Sequence, residues 1–208
     1  MSNNAIANER VIVFGASGFL GSHVADALSS TGYQVRLFDR SASPHLKPDQ
    51  EMIIGDIMNL DQVIEAARDC SIVYNFAAIA DIDEAHNKPI PTVTINVLGN
   101  MHVLEAARIA GARRFVFASS VYVYSESGSF YRASKQAAER FTETYHERYG
   151  LDYNILRYGS LYGRRADKRN GIYRMLLEAV KNHSITYKGS GEAMREYIHV
   201  EDAARMSV

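Results

Sequence analysis

Cysteine is nearly missing from this sequence, and its one thiol, Cys70, has no partner for an internal disulfide. Paired cysteines and H-x-x-x-H spacings are also lacking among the seven histidines, so no metal site is expected and each histidine reads as a surface or helix-end residue. No apolar run reaches transmembrane length. Net charge is almost nil, with 23 Lys and Arg against 24 Asp and Glu, which removes the overall electrostatic footprint of a nucleic-acid or anionic-membrane binder. The polar stretch from Met1 to Arg10 lacks the apolar centre of a secretory signal, so the expected setting is reducing and cytoplasmic. Internal repeats and low-complexity segments are not found. What remains is 208 residues, 47% apolar and 23% charged, the profile of an ordinary globular chain with one sizeable core.

Against that background, Val11-Ile-Val-Phe14 runs directly into three glycines at three-residue spacing, Gly15, Gly18 and Gly21. The pattern predicts a strand, a tight turn and a helix start. Gly15 takes a turn geometry that a side chain forbids, Gly18 lets backbone amides approach an anion, and Gly21 lets the helix pack against the strand. The free N–H groups and positive end of such a helix make a pyrophosphate site. G-x-x-G-x-x-G alone is a weak signal, and its context strengthens it. Leu20, Val24, Ala27 and Leu28 fall on one helical face, Thr31-Gly32-Tyr33 is a stop, and Val35–Phe38 is a second strand closed by Asp39. A carboxylate eighteen residues beyond Gly21 is placed to accept the adenosine ribose hydroxyls and to repel a 2′-phosphate. That points to NAD, with the neighbouring Arg40 keeping NADP as the alternative.

Further on, Ser41–Gln50 reads as a loop, Met52–Ile54 as a short strand ending at Gly55-Asp56, and Leu60–Arg68 as a helix. Ile72–Phe76 is a strand entering Ala77-Ala78-Ile79-Ala80, small residues that let a flat cofactor lie near the backbone. A long helix over Thr92–Ala110, a strand at Phe115–Ala118, a helix over Tyr131–Tyr149 and a strand at Tyr153–Leu156 complete the alternation. The expected fold is α/β, with a parallel sheet covered on both faces. Ligands bind outside the carboxyl ends of such strands, where Gly15–Gly21, Asp39, Asp56, Ala77-Ala78, Ser119-Ser120 and Arg157 all fall. Asp56 either bonds an adenine amino group or caps the next helix.

Tyr131 and Lys135, in Tyr-Arg-Ala-Ser-Lys, project from one helix face one turn apart. A cation beside a phenol favours its ionised form. Moving a tyrosine from about 10 to about 7 takes roughly 4 kcal/mol at about 1.36 kcal/mol per unit. Lys135 and a cationic nicotinamide would supply this jointly. Ser120, just past the fifth strand, is placed to bond the same substrate oxygen, so Tyr131 acts as base while a hydride passes from a carbinol carbon to the nicotinamide. A Y-x-x-x-K pair alone is common on surface helices, but behind a nucleotide fingerprint and a strand ending in Ser-Ser it points to catalysis.

These motifs continue in a fixed order: Asn96-Val-Leu-Gly99, Ala118-Ser-Ser-Val-Tyr-Val-Tyr124, Tyr131-x-x-x-Lys135, Leu156-Arg-Tyr158, Leu161-Tyr-Gly163 and Arg195-Glu-Tyr-Ile-His-Val200. The chain thereby resembles the extended short-chain dehydrogenase/reductase family, and within it the NAD-dependent epimerase/dehydratase group acting on nucleotide sugars. The resemblance implies a Rossmann-type doubly wound parallel sheet over residues 1–160 and a small substrate region over 161–208. Family members continue well past the position of Val208, so a truncated substrate half is expected. The implied coenzyme contacts are Gly15, Ser17, Gly18, Phe19, Leu20, Gly21, Asp39, Arg40, Asp56, Ile57, Phe76, Ala77, Ala78, Asn96, Tyr131, Lys135 and Tyr158. The implied substrate contacts are Ser120, Tyr122, Ser160 and Arg195, the last on the diphosphate of the sugar nucleotide or else a solvated surface arginine.

The group's dehydratases look to carry Asp-Glu after the Ser/Thr, and its uronate decarboxylases a nearby Glu, where this chain has Val121-Tyr122. Without a carboxyl group there dehydration is disfavoured. Epimerisation at C4 of a UDP-sugar through a transient keto sugar is the favoured reading. A reductase or dehydrogenase of the same fold, or a non-catalytic NAD(H)-binding module, are its alternatives. Two departures stand out: only eleven positions separate Ser120 from Tyr131, and Ser160 replaces a common Asn. Arg164-Arg165 with Lys168 and Arg169 reads as a solvated loop, and Tyr122 and Tyr124 as packing under the site. The expected partners are a nucleotide sugar and a second copy joined through the two long helices, with no nucleic acid and no membrane.

Overall fold

The computed structural model describes residues 9–186 and 195–208. Apolar, β-prone runs alternate with amphipathic ones to give β1 (Arg10–Phe14), α1 (Phe19–Ser30), β2 (Gln34–Asp39), β3 (Gln50–Ile54), α2 (Leu60–Ala67) and β4 (Ile72–Asn75). Then follow α3 (Ile82–Asn87), α4 (Pro89–Val93), a π-helical turn (Thr94–Leu98), α5 (Gly99–Ile109), β5 (Arg114–Ser120), a 3₁₀ turn (Val121–Tyr124), α6 (Ser129–Tyr149) and β6 (Asp152–Tyr158). The remainder forms β7 (Ser160–Tyr162), α7 (Gly171–Asn182), β8 (Tyr197–His199) and α8 (Val200–Met206).

The six-stranded sheet has the order β3-β2-β1-β4-β5-β6 with every pairing parallel. β1 alternates between two cores. Ile12 and Phe14 pack with Val63, Val103, Leu104, Phe115 and Phe117 beneath α2, α5 and α6, while Val11 and Val13 pack with Val24, Leu28, Val35 and Leu37 beneath α1. A strand buried on both faces needs this unbroken apolar run, and its order reversal beside β4 opens the crevice where ligands enter. β7 and β8 form a separate parallel pair, and α8 packs on α1. Tyr74 Oη donates to the Ser207 carbonyl at 2.9 Å, and the Tyr158 and Ser207 hydroxyls meet at 2.7 Å, so the end of α8 is tied to the sheet.

The expected strands and the helix over Tyr131–Tyr149 are present, α6 starting two residues earlier at Ser129. The helix expected over Thr92–Ala110 begins instead at Pro89, a residue whose missing N–H costs nothing in a first turn. It stays right-handed through Thr94 and Gly99 but passes through the π turn. Four elements were not foreseen: α3, α7, β7 and β8. Three of them are six residues or shorter, too short for a periodic signal, and α3 relies on Asp81 accepting from the Glu84 N–H at 2.8 Å. Nor does Asp56 cap α2. Asn59 does so, accepting from Gln62 N at 3.2 Å, while Asp56 closes a tight turn onto Met58 N. Among the described residues no helix is long and apolar enough to cross a membrane.

Candidate active site

The glycine turn is shaped by close approach. Gly15 sits at φ +76, and a Cβ there would lie 2.5 Å from Ala77 N and 2.6 Å from the Phe76 carbonyl carbon, so the turn is wedged against the end of β4. A Cβ on Gly21 would run into the Gly15 carbonyl oxygen. Gly18 differs, since a Cβ there meets only that same oxygen, at 3.2 Å. It forms the N-terminal boundary of α1, where no side chain caps the helix and the first turn carries no acidic residue. An anion is therefore favoured by the dipole and by the free N–H groups. Gly15 N donates to Phe38 O at 2.9 Å, and Asp39 accepts from Ser17 N at 2.9 Å and Arg40 N at 2.7 Å. Asp39 thus fixes the loop, and each of its oxygens keeps acceptor capacity for a diol.

From this turn a cleft of about 450 Å³ runs to α6, lined by Gly15, Gly18, Phe19, Leu20, Gly21, Arg40, Phe76, Ala78, Ser120, Tyr131, Lys135 and Tyr158, all of them expected contacts. A second chamber of about 610 Å³ adjoins it and shares the Ser120 and Tyr131 walls. Its further lining includes Tyr122, Ser160 and Arg195, the expected substrate residues. Six expected coenzyme residues do not line the cleft. Ser17 and Asp39 secure the turn, Ala77 is its abutment on β4, and Asp56 is exposed beyond β3. Ile57 is buried in the core against Gly99. Asn96 is buried on the π turn, where its amide accepts from Ile79 N at 2.7 Å and donates to Ile79 O and Ser134 Oγ, each at 3.0 Å. Ser134 Oγ in turn donates to Tyr131 O at 2.8 Å, so Asn96 braces the cleft wall and the turn that carries Tyr131.

The ends of β5 and α6 bring the reactive groups together. Lys135, 4% exposed, donates from Nζ to the Ala118 carbonyl at 2.6 Å and lies 4.8 Å from the Phe117 ring and 5.8 Å from the Tyr131 ring. Burial pulls its pKa down to about 8, against the opposing pull of Glu139. The Tyr131 phenol is pushed above its ordinary value by burial, partly offset by its hydrogen bond with Ser120. Burial thus works against the ionisation of Tyr131 that Lys135 and a cationic nicotinamide are expected to supply jointly. Tyr122 packs near-perpendicular to Tyr131 with ring centres 6.3 Å apart, and Arg195 Nη1 donates to the Tyr122 hydroxyl at 3.2 Å.

Three expectations are corrected. Tyr124 is 74% exposed, lying under the Arg157 guanidinium rather than beneath the site. The basic loop is solvated only in part: Arg164, Lys168 and Arg169 are exposed, but Arg165 is docked on Asp26 at 2.7 Å, and the Arg164 carbonyl accepts from His23 Nε2 at 3.0 Å. His23 is buried within α1, neither at a surface nor at a helix end. Sequence reasoning placed Ser119 at the strand ends but passed over its partner Glu139. Glu139 was legible as the next step of the Tyr131, Lys135 stripe on α6.

A doubly wound parallel sheet with an anion-ready glycine turn, an acid ending β2, and a serine, tyrosine and buried lysine at one crevice defines a dinucleotide-dependent enzyme of the short-chain dehydrogenase/reductase type. Residues 11–208 match the NAD dependent epimerase/dehydratase family, and the chain belongs to it. Its coenzyme is NAD. Among curated relatives, UDP-glucose 4-epimerase of Rhizobium leguminosarum bv. trifolii is 28% identical over 96% of this chain and 71% of that protein. The crystal structure of UDP-glucose 4-epimerase with UDP-glucose from Thermotoga maritima superposes with a TM-score of 0.87 at 26% identity, covering 95% of this chain and 72% of that one. UDP-glucuronic acid 4-epimerase from Bacillus cereus, in complex with UDP-glucuronic acid and NAD, gives a TM-score of 0.85 at 26% identity over 94% of this chain and 71% of the other. Decarboxylases and a dehydratase-containing trifunctional enzyme also match, but the strongest relatives favour an epimerase.

Proposed function

We propose that this chain inverts C4 of a UDP-sugar, binding NAD along residues 1–160 and the sugar nucleotide between that domain and residues 161–208. The observation that carries the reading is the position of Ser120 and Tyr131 on the wall common to both chambers, with Lys135 directly beneath. The residues fit the dinucleotide: the space a Cβ would fill at Gly15 and Gly21 is already taken by backbone, and the uncapped start of α1 faces the cleft. Bound NAD supplies the hydride acceptor and donor of the cycle. Tyr131 removes the proton from the sugar hydroxyl as oxidation proceeds and returns it after the sugar has turned over. Ser120 orients that oxygen, and Arg195, projecting into the second chamber beside Tyr122, meets the diphosphate. Behind Ser120 stand Val121 and Tyr122, neither of which can serve as the carboxylate base of a dehydration.

Exposed Ile90, Val93 and Leu98 on the α4–α5 rod and Phe130, Phe141 and Tyr149 on α6 support a homodimer through these two helices. The single cysteine of the sequence, Cys70, is free and buried, in keeping with a chain that works in the reducing cytoplasm.

Incubation with UDP-, GDP- and dTDP-sugars, followed by proton NMR, is expected to show interconversion of a C4 pair of UDP-sugars without net NADH. Tyr131→Phe should lower turnover by about 10² to 10⁴-fold and leave NAD affinity nearly intact. Net NADH would instead favour a dehydrogenase, and silence across the panel a binding module.

A further inference from the structure

The end of β5 and one face of α6 interlock residue by residue. Ser120 and Tyr131 share the cleft wall, the Ala118 carbonyl accepts the Lys135 ammonium at 2.6 Å, and Ser119 Oγ donates to Glu139 Oε1 at 2.5 Å. Glu139 is itself buried, and its carboxylate receives Arg157 Nε at 3.0 Å and Nη2 at 2.8 Å from β6. Tyr124 covers the guanidinium, whose carbon lies 5.0 Å from the ring centre. A buried ion pair of this kind is seldom worth more to folding than apolar residues of the same volume. Its position one helical turn beyond Lys135 gives it a different use.

We propose that Glu139 is a positioning residue: its carboxylate, clamped by Arg157, holds Ser119 at the end of β5 and so fixes the adjoining Ala118 carbonyl that receives the Lys135 ammonium one helical turn back on α6. The proposal rests on the roles given above to Tyr131 and Lys135. The groups facing this pair are Tyr131 and Glu143 on α6 itself, Ser119 and Ser120 from β5, Arg157 from β6, and Tyr122 and Tyr124 from the 3₁₀ turn. Burial works to strip the proton from Lys135, and the negative charge of Glu139 opposes it. Arg157 meets the Glu139 carboxylate bidentately and holds it pointing inward.

The test titrates Lys135 directly by NMR in protein labelled at lysine Cε, with Lys135→Met supplying the assignment. In Glu139→Gln the Lys135 midpoint is expected to fall by about one pH unit, since an opposite charge close by is lost. Glu139→Asp should restore it. In turnover, Glu139→Gln should move the acid-side midpoint of kcat upward with KM changed less than twofold. An unchanged Lys135 midpoint in folded Glu139→Gln overturns the proposal. Should that variant fail to fold, the double substitution Glu139→Met with Arg157→Leu is read the same way, a lowered midpoint supporting the proposal and an unmoved one overturning it. The lysine titration needs neither coenzyme nor substrate, so it stands or falls apart from the assigned reaction, which Tyr131→Phe tests.

Discussion

Replacing Gly15 by alanine separates the geometry of the coenzyme turn from its chemistry. At φ +76 an alanine gives up about 1–2 kcal/mol relative to its favoured backbone. The new Cβ would also stand 2.5 Å from Ala77 N and 2.6 Å from the Phe76 carbonyl carbon, both backbone atoms with nowhere to swing. Relief requires the turn to lift from the end of β4, an overpacking that costs about 1–3 kcal/mol. Together these come to roughly 2–5 kcal/mol, and at about 2–4 °C per kcal/mol for a chain of this size the melting temperature falls by roughly 4–20 °C. Gly18→Ala is the matched control. Its φ is an ordinary −74 and its nearest neighbour lies at 3.2 Å, so the loss should stay near about 1 kcal/mol, the difference between a glycine and an alanine at a helix N-cap. The order should reverse for the ligand. Gly18 borders the anion's approach, so NAD should add less thermal protection to Gly18→Ala, relative to its own baseline, than to the parent. Calorimetric melts with and without NAD read both quantities. A Gly15→Ala protein melting within about 2 °C of the parent, or one no less stable than Gly18→Ala, would refute the steric reasoning.

Asp39→Ala should weaken NAD and narrow the preference over NADP, because it removes both the diol acceptor and the charge opposing a 2′-phosphate; titration calorimetry with the two coenzymes measures this, and a parent that already prefers NADP would contradict the role. It should also lower stability, as Ser17 N and Arg40 N lose their acceptor. His23 gives the pH dependence. Burial holds its pKa below the ordinary 6.5, so the unfolded chain takes the proton first. Stability should therefore be complete above about 6.5 and decline as the pH falls below it, and His23→Gln should flatten that decline in urea titrations run from pH 7.5 to 5.

Much of the sheet could be read from the chain because each central strand is buried on both faces and so leaves an uninterrupted apolar run, as Val11–Phe14 and Ile72–Tyr74 do. The cleft residues on single elements were legible for a related reason, since spacing within one element fixes which side chains share a face. Pairings between elements were not. Nothing in the spacing of Ser119 discloses that it bonds Glu139, twenty residues on, or that Arg157 closes the same carboxylate from a third element. The π turn is hidden too. One extra residue per turn leaves no compositional trace, yet it lies where Asn96 reaches both Ile79 and Ser134.

The short connection between Ser120 and Tyr131 shows how one of these hidden features bears on chemistry. Too few residues lie between the 3₁₀ turn and α6 for a wide loop, so the chain reverses through two successive left-handed residues, Gly128 at φ +106 and Ser129 at φ +47. A Cβ at Gly128 would touch Tyr122 Cδ1 at 3.0 Å and Arg132 Cβ at 3.1 Å, so the reversal is pressed against the ring that packs on Tyr131. Ser129, a residue for which this conformation costs about 1–2 kcal/mol, has its hydroxyl 3.2 Å from His86 Nδ1 on α3. The Ser129 contact with α3 thus offsets strain at the loop, and the reversal brings the first turn of α6, which carries Tyr131, close against Tyr122. Under the proposed reaction, Gly128 and Ser129, far from the coenzyme turn, therefore help to place Tyr131, the proposed base.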